Sequence, residues 1–269
     1  MGIIDGMEAS SGLPESVSTS LAAWFTTPLG RYLLAREQAY FDQTVADIFG
    51  FHALQIGLPA CPFLAQSRIV SRWTLDYDPP ADVRADPHSL PFGENEIDLI
   101  VLPHSLEFTS DPHRMLREAY RVVRPEGQIV IAGFNPFSLF GARRYFGRGS
   151  TPPWNGNFIA LYRLKDWLSL LGFDVVGGRL DGYVPPFATE KWLARYGFFE
   201  KAGDRWWPIA GGVYYLRATK KVLGMRVITP AREVRERREE ALVPARPGGA
   251  REGLTTHGHS ISAHPHTRD

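Results

Sequence analysis

Apolar positions in this chain alternate between short unbroken runs and stripes at helical spacing. The run Ile97–Leu102 is interrupted only by Asp98 and ends at Pro103, which suits a parallel strand buried on both faces. Asp111-Pro112 then supplies an N-cap with proline at the first helical position. Leu116, Ala119, Val122 and Val123 recur at helical spacing, and Pro125-Glu126-Gly127 stops that helix before a second buried strand, Gln128–Ala132. Upstream, His52–Gly57 and Arg68–Leu75 read as the first two strands. Before them, Thr27-Pro28 opens a helix whose apolar residues are Leu29, Leu33, Tyr40, Phe41, Val45, Ile48 and Phe49, with Gly50 as its terminator. Downstream, Phe134–Phe146 is an aromatic helix or loop and Leu164–Leu171 a helix ended by Gly172. Phe173–Val176 and Val213–Thr219 are the closing strands.

Strands alternating with helices predict an α/β fold, a doubly wound and mostly parallel sheet. With 269 residues and 44% hydrophobic content the chain can bury one substantial core. The expected division is a disordered N-terminus over 1–20, one domain over 21–229, and a charged segment with a disordered tail over 230–269. A net charge of +1 gives no global argument for nucleic acid or an anionic membrane. Basic residues between Arg217 and Arg238 alternate with Glu233 and Glu236, so no coherent RNA-binding face emerges. The single cysteine, Cys61, leaves no internal disulfide and fits a reducing compartment. The start lacks a basic-then-apolar leader and no apolar run reaches membrane-spanning length, so the expected location is cytoplasmic. His257, His259, His264 and His266 lie in a tail without a scaffold, so no metal site is expected. Trp192, Tyr196, Phe198, Phe199, Trp206 and Trp207 read as core or a cap on the sheet. A hydrophobic pocket or membrane-facing patch is the alternative, because Arg195, Lys201 and Arg205 are interleaved.

The wording of the central units is more specific than their pattern. Asp86, Leu90-Pro91-Phe92, Asp98, His104-Ser105-Leu106-Glu107, Asp111-Pro112 and Arg121–Gly127 follow in one order. That order resembles class I S-adenosylmethionine (SAM) dependent methyltransferases of the type 11 branch. Leu54–Gly57 and Gly133–Ser138 add a likeness to a poorly characterised proteobacterial subgroup. The resemblance implies a Rossmann-like sheet with an antiparallel terminal hairpin, SAM as cofactor, and methyl transfer to a small, apolar acceptor. Methyl transfer from a sulfonium asks the protein mainly for alignment and exclusion of water. A general base is needed only where the acceptor loses a proton as it attacks.

Cofactor contacts in such sheets lie beyond the carboxyl ends of the strands. The resemblance places Gly57 at the close approach after the first strand and Asp76, in preference to Asp78, at the ribose. It places Asp86, with His88 beside it, at the adenine. His104 then falls near the transferred methyl, facing the cofactor and serving as the candidate base. Glu107, a frequent family carboxylate, and Asn135 line the acceptor side; the alternatives are a carboxylate that braces the turn and, equally suited, a turn-forming Asn-Pro. One departure stands out: Gln55-Ile56-Gly57-Leu58-Pro59-Ala60-Cys61 replaces the family's glycine-rich loop. The interval from Gly57 to Asp86 also leaves little room for the usual helix between the second and third strands. Three readings compete: a SAM-dependent methyltransferase, a catalytically inactive methyltransferase-fold protein that binds or regulates, and an RNA methyltransferase or RNA-binding relative, which would want a coherent basic face.

Overall fold

Side-chain caps and prolines set where the helices begin. The computed structural model describes residues 17–77, 79–147, 151–186 and 210–221. In α2 (Pro28–Ala46) the Thr27 side chain accepts from the Gly30 N–H with proline in the first turn. The Asp111 side chain does the same for the Arg114 N–H at the start of α3 (Pro112–Val122). Ser138 caps α4 (Leu139–Phe146), accepting from Phe140 and Gly141. A further helix, α1 (Val17–Phe25), precedes them, and α5 (Leu161–Leu171) follows. Residues 17–20 of α1 fall in the segment expected to lack structure. Leu21 and Phe25, one turn apart and both 2% exposed, tie α1 to the core.

Seven strands form one sheet in the order β3-β2-β1-β4-β5-β7-β6. They are β1 (His52–Ile56), β2 (Ser71–Asp76), β3 (Val83–Arg84), β4 (Ile97–Pro103), β5 (Val123–Phe134), β6 (Phe173–Asp181) and β7 (Val213–Lys220). β1 runs parallel to both β2 and β4, and β4 parallel to β5. β7 lies antiparallel between β5 and β6. The strand order therefore reverses at β1/β4, where a ligand crevice forms in open α/β sheets.

Alternate strand residues supply two separate cores. On one face Ala53, Leu99, Val101, Val130 and Ala132 pack against Leu29, Leu33, Phe41 and Val45 of α2. On the other, Leu54, Ile100, Leu102, Ile129 and Ile131 meet Met115, Leu116 and Ala119 of α3 and Leu164 and Leu168 of α5. Turns rather than helices join β1 to β2 and β2 to β3 among the described residues, so the N-terminal α2 covers that face. Gly50 is not the helix terminator, since α2 ends at Ala46. A Cβ at Gly50 would lie 2.3 Å from Asp98 Cβ, and Asp98 Oδ2 accepts from the amides of Phe51 and His52 at 2.7 and 2.9 Å. The acid at the start of β4 thus positions the entry to β1. Phe49, expected on the apolar stripe, is 70% exposed. Asp78, the aromatic group over 192–207 and the segment 230–269 lie outside the described residues, as do residues 1–16.

Candidate functional site

A cavity of about 440 Å³ opens at the carboxyl ends of β1, β2 and β4, a volume within the range of roughly 300–1,000 Å³ common for small-ligand sites. Ile56, Gly57 and Leu58 line it from β1, Asp76 and Tyr77 from β2, and Pro103, His104 and Ser105 from β4. Pro87 and His88 close one side and Phe108, Thr109, Ser110 and Met115 another. Ser18 and Leu21 of α1 complete the wall. Among the described residues Asp76 is the single carboxylate in this lining, which contains no lysine or arginine. The electrostatics therefore favour a neutral or cationic ligand over a phosphate.

The β1 loop is held by the residue before it. Gln55, fully buried, donates through Nε2 to the carbonyls of Gly57, Leu58 and Cys61 at 3.1, 2.9 and 2.8 Å, and its Oε1 accepts from the Phe63 N–H. Gly57 has φ +85°, a region that glycine enters without a Cβ clash. A Cβ there would lie 2.7 Å from Ser105 Oγ, and that hydroxyl donates to the Ile56 carbonyl. The close approach at Gly57 is thus taken up by the chain's own β4 turn. Leu58 holds φ +48° while its side chain sits in the core at 1% exposure.

Asp76 ends β2 with its side chain reaching the cavity at only 6% exposure. Its Oδ1 accepts from the Tyr77 N–H at 2.7 Å and its Oδ2 from Ser18 Oγ at 2.5 Å. Asp86 is not part of the cavity wall. Its Oδ1 receives the Tyr77 hydroxyl at 2.6 Å and the His88 amide at 2.8 Å, and lies 2.8 Å from His88 Nδ1. Those hydrogen bonds, the Tyr77 hydroxyl first, hold its pKa down at about 2. His88 Nε2 in turn lies 2.6 Å from Thr109 Oγ1. Asp86 therefore positions two residues that do line the cavity, Tyr77 and His88.

Three of the expected residues have their polar atoms engaged within the protein, His104 in the cavity wall and Glu107 and Asn135 outside it. His104, entirely buried, has Nδ1 2.8 Å from Glu107 Oε2 and Nε2 3.0 Å from Glu37 Oε1. Its ring lies 4.2 Å from that of Phe134. Burial alone would lower the imidazole pKa, but the Glu37 and Glu107 carboxylates raise it to about 10. Neither ring nitrogen is open to take a proton from an acceptor. Glu107 is equally enclosed: its Oε1 accepts from the Phe134 N–H, and burial pushes its pKa up against the pull of His104. Its two oxygens thus tie His104 to the end of β5. Asn135 Nδ2 donates to the Gly211 carbonyl at 2.9 Å and its Oδ1 accepts from the Phe137 N–H at 3.0 Å, which makes it a brace between β5 and β7 outside the cavity.

Sequence reasoning missed Glu37, Ser18 and Tyr77. A signal for Glu37 was present, because it falls in the middle of the stripe Leu29, Leu33, Phe41, Val45 at four-residue spacing. An acid on a buried face needs a partner, and the partner is His104. Ser18 offered no such signal.

Residues 63–131 match the sequence model of a family described as methyltransferase domain. The structure aligns with that of a SAM-dependent methyltransferase from Thermotoga maritima, 18% identical with a TM-score of 0.52, over 71% of this chain and 93% of that one. A SAM-dependent methyltransferase from Archaeoglobus fulgidus aligns with a TM-score of 0.50 at 18% identity, over 71% and 94% of the two chains. This chain has the class I methyltransferase fold. The family model supports the resemblance read from its motifs, and SAM is the cofactor that the family implies. Among curated proteins, YafS of Escherichia coli K12 is 36% identical over 161 residues, 57% of this chain and 65% of YafS. Rv2003c of Mycobacterium tuberculosis H37Rv is 28% identical over 189 residues, 65% of this chain and 62% of that protein. Both carry the description uncharacterised, and the matches span less than two thirds of each. Among the described residues no helix is long and apolar enough to cross a membrane, and no cluster of three or more His, Cys, Asp or Glu side chains is arranged to hold a metal ion.

Proposed function

We propose that this protein binds SAM at the ends of β1, β2 and β4 and methylates a small, apolar acceptor. The observation that carries the reading is Asp76, the one carboxylate among the described lining residues, at the end of β2 beside Gly57, in a wall where the imidazole of His104 is paired with Glu37 and Glu107 behind it. Asp76 suits the ribose hydroxyls, while Tyr77 and His88, positioned by Asp86, suit the adenine side. The absence of Lys and Arg from the lining suits a net cationic cofactor. When bound, SAM supplies an electrophilic methyl carbon. Leu21, Ile56, Leu58, Phe108 and Met115 exclude water and orient the acceptor. With both nitrogens of His104 engaged, no residue is assigned to proton abstraction, which favours an acceptor that arrives already nucleophilic. Calorimetric titration with SAM and S-adenosylhomocysteine tests the reading, and saturable heat from both is expected.

A second reading is favoured by one observation. Ser105 fills the approach at Gly57, and Leu58 adds bulk where the family has glycine. That combination suits a methyltransferase-fold module that binds or regulates without catalysis. Tight binding of S-adenosylhomocysteine with no methyl transfer to any acceptor in a cell extract would favour it.

A further inference from the structure

We propose that Ser18 occupies the place of a ligand hydroxyl, so that the first turn of α1 is a gate which a sugar with adjacent hydroxyls opens. The inference rests on the reading of Asp76 as a ligand contact. Ser18 Oγ donates to Asp76 Oδ2 at 2.5 Å across 58 positions of sequence, and both residues line the cavity. The other oxygen of Asp76 is held by the adjacent Tyr77 amide, a contact that local backbone geometry preserves. Asp76 is 6% exposed, so a ligand reaches Oδ2 only from the cavity, where Ser18 stands.

The two bonds to Asp76 differ in how easily they exchange. Ser18 is the second residue of α1, in a turn whose leading amides have no intrahelical acceptor. Leu21 and Phe25, both 2% exposed, anchor the rest of the helix in the core. The first turn can therefore yield while α1 stays docked. Replacing the Ser18 hydroxyl with a ligand hydroxyl keeps the same charge-assisted bond, so the exchange demands no new chemistry at Asp76. Apparent affinity falls by the share of molecules in which Ser18 holds the carboxylate. The ligand class follows from the wall: adjacent hydroxyls on an uncharged sugar suit one carboxylate without a lysine or arginine among the described lining residues, and a sugar phosphate does not.

The test compares the full-length parent with Ser18→Ala and Ser18→Thr by calorimetry, using S-adenosylhomocysteine, adenosine and 2′,3′-dideoxyadenosine. Ser18→Ala should tighten binding of the first two about tenfold, the scale of one hydrogen bond to a charged group. Dideoxyadenosine should bind parent and variant alike, and Ser18→Thr should behave like the parent. Unchanged thermal melting of both variants would separate this effect from loss of fold. Measurable S-adenosylhomocysteine binding that Ser18→Ala leaves unchanged or weakens would overturn the gate and leave the cofactor site standing. Absence of binding in parent and variant alike would remove the cofactor reading and the gate with it.

Discussion

His104 Nε2 lies 3.0 Å from Glu37 Oε1, joining the end of β4 to the middle of α2 across 67 positions of sequence. Glu107 Oε2 sits 2.8 Å from the other ring nitrogen, and all three side chains are buried. The cluster secures α2 over the face of the sheet where the usual connecting helices are missing. The two carboxylates are not equivalent. Both oxygens of Glu107 accept a hydrogen bond, whereas Glu37 Oε2 is buried without a partner among the described residues.

Substituting each carboxylate with its amide separates them. Glu107→Gln sets an amide donor against either the Phe134 N–H or the imidazole N–H, and should cost about 3 kcal/mol. Glu37→Gln can keep its carbonyl on His104 and put its amide at the orphan position, at a cost of about 1 kcal/mol. Thermal melting should accordingly fall by roughly 10 °C for the first and only a few degrees for the second. Equal losses would show that hydrogen-bond count does not set the balance.

The same cluster predicts a dependence on pH. His104 is raised from 6.5 to about 10 in the folded protein, so the folded state holds the imidazole proton more tightly than the unfolded chain. Its contribution is fully present below about pH 6.5 and is lost as pH rises towards 10. Urea unfolding at intervals from pH 6 to 10 should show stability declining across that window. His104→Asn should flatten the slope; an unaltered slope would assign the titration to another group.

Ligand binding should depend more on Asp76 than on Asp86. Asp76 is in the cavity wall, whereas Asp86 acts through Tyr77 and His88. Asp76→Asn should weaken S-adenosylhomocysteine binding by about tenfold or more. Asp86→Ala should weaken it a few-fold, with little change in melting for either variant. The reverse order in calorimetry would make Asp86 the direct contact.

Restoring glycine at Leu58 should not simply repair the loop. Its φ of +48° strains a leucine by about 1–2 kcal/mol, which glycine would relieve. Its side chain, however, is 1% exposed in the core, and removing one of that size typically costs about 2–5 kcal/mol. Leu58→Gly should therefore lower the unfolding free energy by about 2 kcal/mol, measurable as an earlier urea midpoint at neutral pH.

The sequence by itself determined all the strands but β3, the capped helices α2 and α3, and the sheet class. Runs such as Ile97–Leu102 and caps such as Asp111-Pro112 act over a few residues, where periodicity and backbone sterics leave few choices. The motif order also singled out Gly57, Asp76 and His88, which meet in one cavity. Only the tertiary structure decided what those side chains face. His104 sits at the expected strand end, yet its ring turns to Glu37 and Glu107 because a buried imidazole between two acids needs both of them. Asp76 meets Ser18 only because α1 docks through Leu21 and Phe25. Contacts of this kind join distant parts of the chain, and local pattern carries no record of which distant residue arrives. The one trace they left was Glu37 on an apolar stripe, a buried charge whose partner the fold alone could name.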